Sequence, residues 1–140
     1  MSEKYINPTQ ESGPDFLMRQ ITGSVVMLNL LRFRQYADYS ENPELAPSLP
    51  ISGEEAYQLY MKATLPYLKE SGGEIIFVGN GSAYLIGPKE EKWDLAMLIK
   101  QRSMESFMNF ASNTEYLKIV GHRTAALEDS RLLPLIEQEI

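Results

Sequence analysis

His122 is the single histidine in the 140-residue sequence and the only side chain whose ordinary pKa lies near neutrality. Such a group serves as a general base or an anion ligand when a pocket surrounds it; the plainer alternative is a surface or packed histidine at the start of a strand. The cations Arg32, Arg34, Lys100, Arg102 and Arg123 are the groups that could join it. Guanidinium groups converging on one pocket bind carboxylates and stabilise developing negative charge. The same groups at solvated strand ends only pair with nearby Asp and Glu. Tyr36, Tyr39 and Tyr57 would line such a pocket or donate hydrogen bonds to its ligand. Asn29 falls on the same strand face as Met27, Leu31 and Phe33, so its amide is either a structural hydrogen-bonding group or a polar group in a ligand cavity.

Other chemistries are excluded. The sequence has no cysteine, so disulfides, thiolate metal sites and cysteine nucleophiles are absent. One histidine cannot build a multi-histidine metal site, and Glu54-Glu55 and Glu90-Glu91 read as a helix start and a solvated turn rather than ligands for a hard cation. No metal and no cofactor are therefore expected. Gly79-Asn80-Gly81 is too generic for a phosphate loop, and no Ser-His-Asp order or nucleophile elbow is evident. A formal net charge of −6 argues against general affinity for nucleic acid or anionic membrane. Apolar runs such as Val25–Leu28 are far too short to span a bilayer, and Met1–Tyr5 lacks the basic-then-apolar order of a signal peptide. A cytoplasmic protein of one principal domain is expected.

The elements that must position these residues follow from spacing and punctuation. Residues 1–22 read as an N-terminal helical arm, with a capping signal at Asn7-Pro8-Thr9-Gln10, an interruption at Gly13-Pro14 and a short helix over Pro14–Gln20. Residues 23–140 read as the domain proper. Val25–Arg34 is a strand with apolar residues on both faces, so both faces should be covered. A long Tyr- and Pro-containing connection, 35–51, precedes a helix opened by the capping box Ser52 to Glu55. That helix carries Ala56, Leu59, Tyr60, Ala63 and Tyr67, should kink at Pro66 and stops at Gly72-Gly73. Glu74–Gly87 is strand-like with a bend at 79–81, Pro88–Lys92 is a turn, and Trp93–Gln101 is a third strand. Ser103 caps a further helix, Asn113–Val120 is a short helix ended by Gly121, and His122–Leu133 reads as the fourth strand.

This β-α-β-β-α-β order is the ferredoxin-like α+β arrangement, an antiparallel sheet with helices on one face. An apolar second face implies a cover, and a second copy of the chain is the simplest one. In the expected strand order 4-1-3-2, with strands one and three taken as parallel, the C-terminal ends of both and the start of strand four share one sheet edge. That edge would gather Arg32, Arg34, Lys100, Arg102, His122 and Arg123 beside the N-termini of both main helices, a basic pole suited to a small anionic ligand.

Val26–Phe33, Gly53-Glu54-Glu55-Ala56-Tyr57, Gly72-Gly73, Trp93-Asp94, Glu115-Tyr116 and His122–Leu132 together resemble the domain-of-unknown-function family 1330, over roughly residues 24–133. The resemblance implies the dimeric α+β barrel superfamily, which includes cofactor-free monooxygenases, haem-degrading enzymes, haem chlorite-reducing enzymes and lactone isomerases. The haem-degrading members use an asparagine, a tryptophan and a histidine, for which this chain offers Asn29, Trp93 and His122. On the parallel arrangement Trp93 and His122 would lie at opposite strand ends, about 25 Å apart, which disfavours that chemistry. Three functions remain: a cofactor-independent enzyme acting on a small anionic or aromatic metabolite, with His122 as base and the arginines stabilising charge; a non-catalytic small-molecule-binding or stress-response dimer; or a purely structural role.

Overall fold

The computed structural model describes residues 3–140, so Met1 and Ser2, within the segment read for targeting signals, lie outside it. After helix α1 (Ser12–Met18) come strand β1 (Val25–Phe33), helix α2 (Gly53–Glu70), strands β2 (Glu74–Asn80) and β3 (Leu95–Gln101), helices α3 (Met104–Ala111), α4 (Thr114–Ile119) and α5 (Gly121–Ala126), and strand β4 (Leu127–Leu135). The four strands form one sheet in the order β2-β3-β1-β4.

Every neighbouring pair in that sheet is antiparallel, including β1 with β3, where Val25 faces Gln101 and Leu31 faces Leu95. The expected order is present, but the expected parallel sense of β1 and β3 is wrong. The reason is topological: the α2 crossover returns β2 to the direction of β1, and the hairpin then reverses β3, which lies between them. Two consequences follow. Trp93, just before β3, stands at the C-terminal end of β1, and Lys100 and Arg102 stand at the opposite end of the sheet.

The core lies between the sheet and α2, α4 and α5. Leu31 and Leu127 are fully buried beneath Ala56, Tyr57 and Tyr60 of α2. Burial of a leucine of this kind contributes about 2 kcal/mol. The stripe Ala56, Tyr57, Tyr60, Thr64 and Leu68 repeats every three or four residues, which puts it on one face of α2. The Tyr60 and Tyr116 hydroxyls hydrogen-bond at 2.7 Å, fastening α2 to α4 inside the apolar layer. The Ser52 capping box forms as read: the Ser52 hydroxyl accepts from the Glu55 N–H at 3.0 Å, and the Glu55 carboxylate accepts from the Ser52 N–H at 2.9 Å. Pro66 lies within α2, which runs on to Glu70; Gly72, at φ +91°, turns the chain out beyond it.

Three elements differ from the expectation. Thr9 and Ser12 exchange side-chain-to-backbone hydrogen bonds, so the arm's helix begins at Ser12 and Gly13-Pro14 occupies its first turn instead of interrupting it. Ala83–Ile86 is not part of a regular strand: it leaves the ladder after one isolated bridge, Ala83 to Lys92, and exposes its apolar residues. Gly121 opens α5 rather than ending the helical region, so His122 is helical and β4 starts at Leu127.

Candidate functional site

At the C-terminal end of β1 the chain brings α2 close to the strand. The Gly53 N–H donates to the Arg34 carbonyl at 3.0 Å, and a β-carbon at position 53 would collide with that carbonyl. Beyond this contact α2 and the β2–β3 side of the sheet diverge, leaving an open cleft of about 750 Å³. Phe33, Tyr57, Met61, Val78, Leu95 and Met97 supply its apolar walls, and Arg34, Gln35, Glu54, Gln58, Asn80 and Asp94 its polar lining. The volume is within the range of small-molecule sites, and the lining is divided about evenly between apolar and polar groups.

The electrostatics of the cleft are not those of an anion pocket. Arg34 is the one cation among its walls, against the carboxylates of Glu54 and Asp94. Asp94 already accepts the Phe33 N–H at 2.8 Å, and the capping box uses polar groups at the start of α2. Tyr57, in the wall, is buried, and burial raises its phenol pKa, although the Arg123 charge opposes the shift; it therefore remains a neutral hydrogen-bonding group.

The remaining expected residues are dispersed by the antiparallel sheet. Arg102 donates to the Ser71 carbonyl at 3.3 Å, at the far end from Arg34, and so cannot share a pocket with it. Arg32 projects from the other face of the sheet, where its guanidinium stacks on Trp93 at 4.7 Å, donates to the Lys92 carbonyl at 2.9 Å and approaches Asp129 at 3.6 Å. Arg123 donates to the Ile6 carbonyl at 2.6 Å, holding the N-terminal segment. Asn29 is buried in β1, its amide donating to the Met27 carbonyl at 3.2 Å. Trp93 and His122 both belong to the C-terminal end of β1, so the 25 Å strand-end separation was incorrect. What separates them is the sheet itself: Trp93 stacks on its open face, whereas His122 is on α5, which packs beside α2.

His122 is half-buried with its Nδ1 2.8 Å from the Tyr39 hydroxyl, and neither residue lines the cleft. Burial lowers the histidine pKa and raises that of the tyrosine, so the pair is neutral at pH 7. Tyr39 belongs to the 35–51 connection, which also bonds to α5 through the Asp38 N–H and the Ala125 carbonyl at 2.9 Å. Gln58, Met61, Asn80, Asp94 and Met97 were not among the expected site residues. Helical spacing puts Tyr57 and Met61 on one side of α2, but their meeting with Asn80 and Asp94 depends on register.

A family model described as a domain of unknown function (DUF1330) matches residues 47–135, more than half of the chain. The chain is a DUF1330 protein. The match begins later than the resemblance at residues 24–133 suggested, whereas likeness to solved structures extends over nearly everything. The RPA0582 protein of unknown function from Rhodopseudomonas palustris is 32% identical, with a TM-score of 0.87 over 99% of this chain and 100% of that one. The methylated RPA0582 protein gives the same identity and TM-score over 97% and 96%. At3g17210 from Arabidopsis thaliana, 14% identical with a TM-score of 0.52 over 83% of this DUF1330 protein and 97% of that chain, shares the fold. No protein of curated function matches the sequence. Among the described residues no helix is long and apolar enough to cross a membrane, and no three His, Asp or Glu side chains gather as a metal site.

Proposed function

We propose that this DUF1330 protein is a cytoplasmic homodimer that binds a small, largely apolar metabolite in the cleft beside α2. The observation that carries this reading is the cleft itself, with Phe33, Tyr57 and Met97 beside Arg34, Gln58 and Asn80. Those groups suit an aromatic ring bearing one or two hydrogen-bonding substituents better than a strongly anionic molecule, because Glu54 and Asp94 oppose Arg34. His122 enters as a residue that positions the 35–51 connection through Tyr39, rather than as a base facing the ligand. Residues 1–22 act as an arm fastened to a 23–140 domain.

Dimerisation is supported by the face of the sheet that no helix covers among the described residues. Leu28 and Leu30 of β1, Leu98 of β3, Phe77 of β2 and Leu133 of β4 share that face by their registers, and Phe77 and Leu133 are more than half exposed. The cysteine-free sequence fits a reducing compartment. A thermal-shift screen of aromatic metabolites, with light scattering on the same sample, tests the reading. A dimer stabilised by members of that class is expected, with affinity falling at least about tenfold in Met61→Trp, which puts a bulkier ring into the cleft. Hits that bind Met61→Trp unchanged, or no hits at all, would sink the cleft, and a monomer at tens of micromolar would sink the dimer.

A further inference from the structure

The connection between β2 and β3 presents Leu85 and Ile86 to solvent at 100% and 91% exposure, in a segment that is held rather than loose. Hairpin bonding continues past the regular strands: the Gly81 N–H donates to the Asp94 carbonyl at 3.0 Å and the Trp93 N–H to the Ser82 carbonyl at 3.1 Å. Farther out, the Tyr84 hydroxyl donates to Glu91 at 2.7 Å, and the Trp93 indole N–H is shared between that hydroxyl at 2.8 Å and the Glu91 carboxylate at 2.9 Å. Trp93 is itself buried, with the guanidinium of Arg32 at 4.7 Å and that of Arg131 at 5.1 Å from its ring centre.

This anchoring fixes the side from which the tip projects. Arg131 is the register partner of Leu30, and Arg32 of Asp129, so both arginines belong to the open face of the sheet. The tip is thus tied to the rim of the apolar surface formed by Leu30, Leu98 and Phe77. That surface alone is small. Four strands at about 4.8 Å and seven residues at about 3.4 Å give a footprint on the order of 450 Å². Standard interfaces bury about 800 Å² of accessible surface per partner, more than the flat footprint of one small sheet. A neighbouring apolar element on the same side would enlarge that interface, and the tip provides one. Residues 82–87 carry no charged side chain, and a chain of net charge −6 is repelled by an anionic lipid surface.

We infer that the Tyr84–Gly87 tip is a dimerisation arm, with Leu85 and Ile86 of each copy buried on the second copy beyond the edge of the open sheet face. The inference rests on the homodimer reading above and adds to it a specific, reciprocal contact. The Tyr84–Glu91–Trp93 bonds set the arm's direction in advance, so little ordering entropy is lost on docking.

Because the sequence has no cysteine, Leu85→Cys carries the only thiol in the molecule and substitutes a fully exposed residue. Its maleimide reaction rate is measured under reducing pretreatment at protein concentrations above and below dimer dissociation, with Glu90→Cys, also exposed, as the control on the polar side of the connection. The expected result is labelling at least about tenfold slower for Leu85→Cys in the dimer than after dilution, with Glu90→Cys equally fast in both. In parallel, the Leu85→Ser/Ile86→Ser double variant should raise the dimer dissociation constant at least about tenfold by sedimentation, leaving the monomer folded. Equal labelling in a demonstrated dimer overturns the arm and leaves the homodimer standing. A wild-type chain monomeric at tens of micromolar overturns both. Fast labelling of the dimer that anionic vesicles suppress assigns the tip to lipid and overturns the arm.

Discussion

Along β4 the outer edge of the sheet is met by the N-terminal segment. The Tyr5 N–H donates to the buried Asp129 carboxylate at 2.8 Å, the Ser130 hydroxyl donates to the Tyr5 carbonyl, Arg123 holds Ile6, and Arg19 donates to the Pro134 carbonyl at 3.0 Å. Along β2, at the opposite edge, no strand pairs among the described residues, and Ile76, Phe77 and Val78 are each about half exposed. An unpaired apolar edge is a template for association, which proteins avoid by sealing or charging it. One edge here is finished with a buried carboxylate and backbone hydrogen bonds, and the other is left apolar. The contrast separates a margin that serves the fold of one chain from a margin available to a partner.

The largest test removes the carboxylate at the sealed edge. Asp129→Asn leaves Arg32 and Arg131 without their shared counter-charge and should cost about 3 kcal/mol, at the lower end for a broken buried pair because both guanidinium groups reach solvent. Urea unfolding would show it as a lower midpoint with an unchanged slope; a change under about 1 kcal/mol would mean that Asp129 is not what fastens this edge. Its pH signature has a defined sign. Burial pushes the Asp129 pKa up, but the Tyr5 and Ser130 N–H groups and Arg131 outweigh it and hold it below 3.8. The stabilisation is therefore fully present above the unfolded value and is lost as pH falls through the lowered folded pKa.

A smaller effect is expected from His122, on α5. Burial lowers its pKa from 6.5, so the unfolded chain binds more protons just below that value and stability falls as pH drops through that range towards the folded pKa. His122→Gln should remove this step from a stability-versus-pH curve while leaving the acid loss due to Asp129 in place. The smallest effect belongs to the open edge. Phe77→Lys should change monomer unfolding by only about 0.5 kcal/mol, yet shift sedimentation towards monomer. A large loss of monomer stability would show that β2 is as integral to the single chain as β4.

The parts of the fold legible in the sequence were those specified by neighbouring residues. Ser52 and Glu55 announce the start of α2 because both partners of the capping box lie within one turn. The alternation and order of the elements also imply a four-stranded sheet. The direction of β3 relative to β1 is a property of the whole path: a parallel pairing would gather Arg34 and Arg102 into one basic pole, whereas the antiparallel sheet puts them at opposite ends. His122–Ala126 reads as strand for a local reason, since a six-residue helix leading directly into a strand leaves little periodicity to read. The cleft was the least legible feature: Arg34, Gln58, Asn80 and Asp94 come from four separate parts of the chain, and only the register brings them together.

The Tyr5–Asp129 bond also bears on the order in which the molecule closes, because it joins residues 124 positions apart. A contact of that span cannot guide early collapse; local helices and the β2–β3 hairpin form without it. During synthesis the segment around Tyr5 is made before β4 and has no strand to dock on until β4 has followed. Until that moment the edge it will cover does not exist, and closing it is among the final steps by which the chain becomes one folded unit.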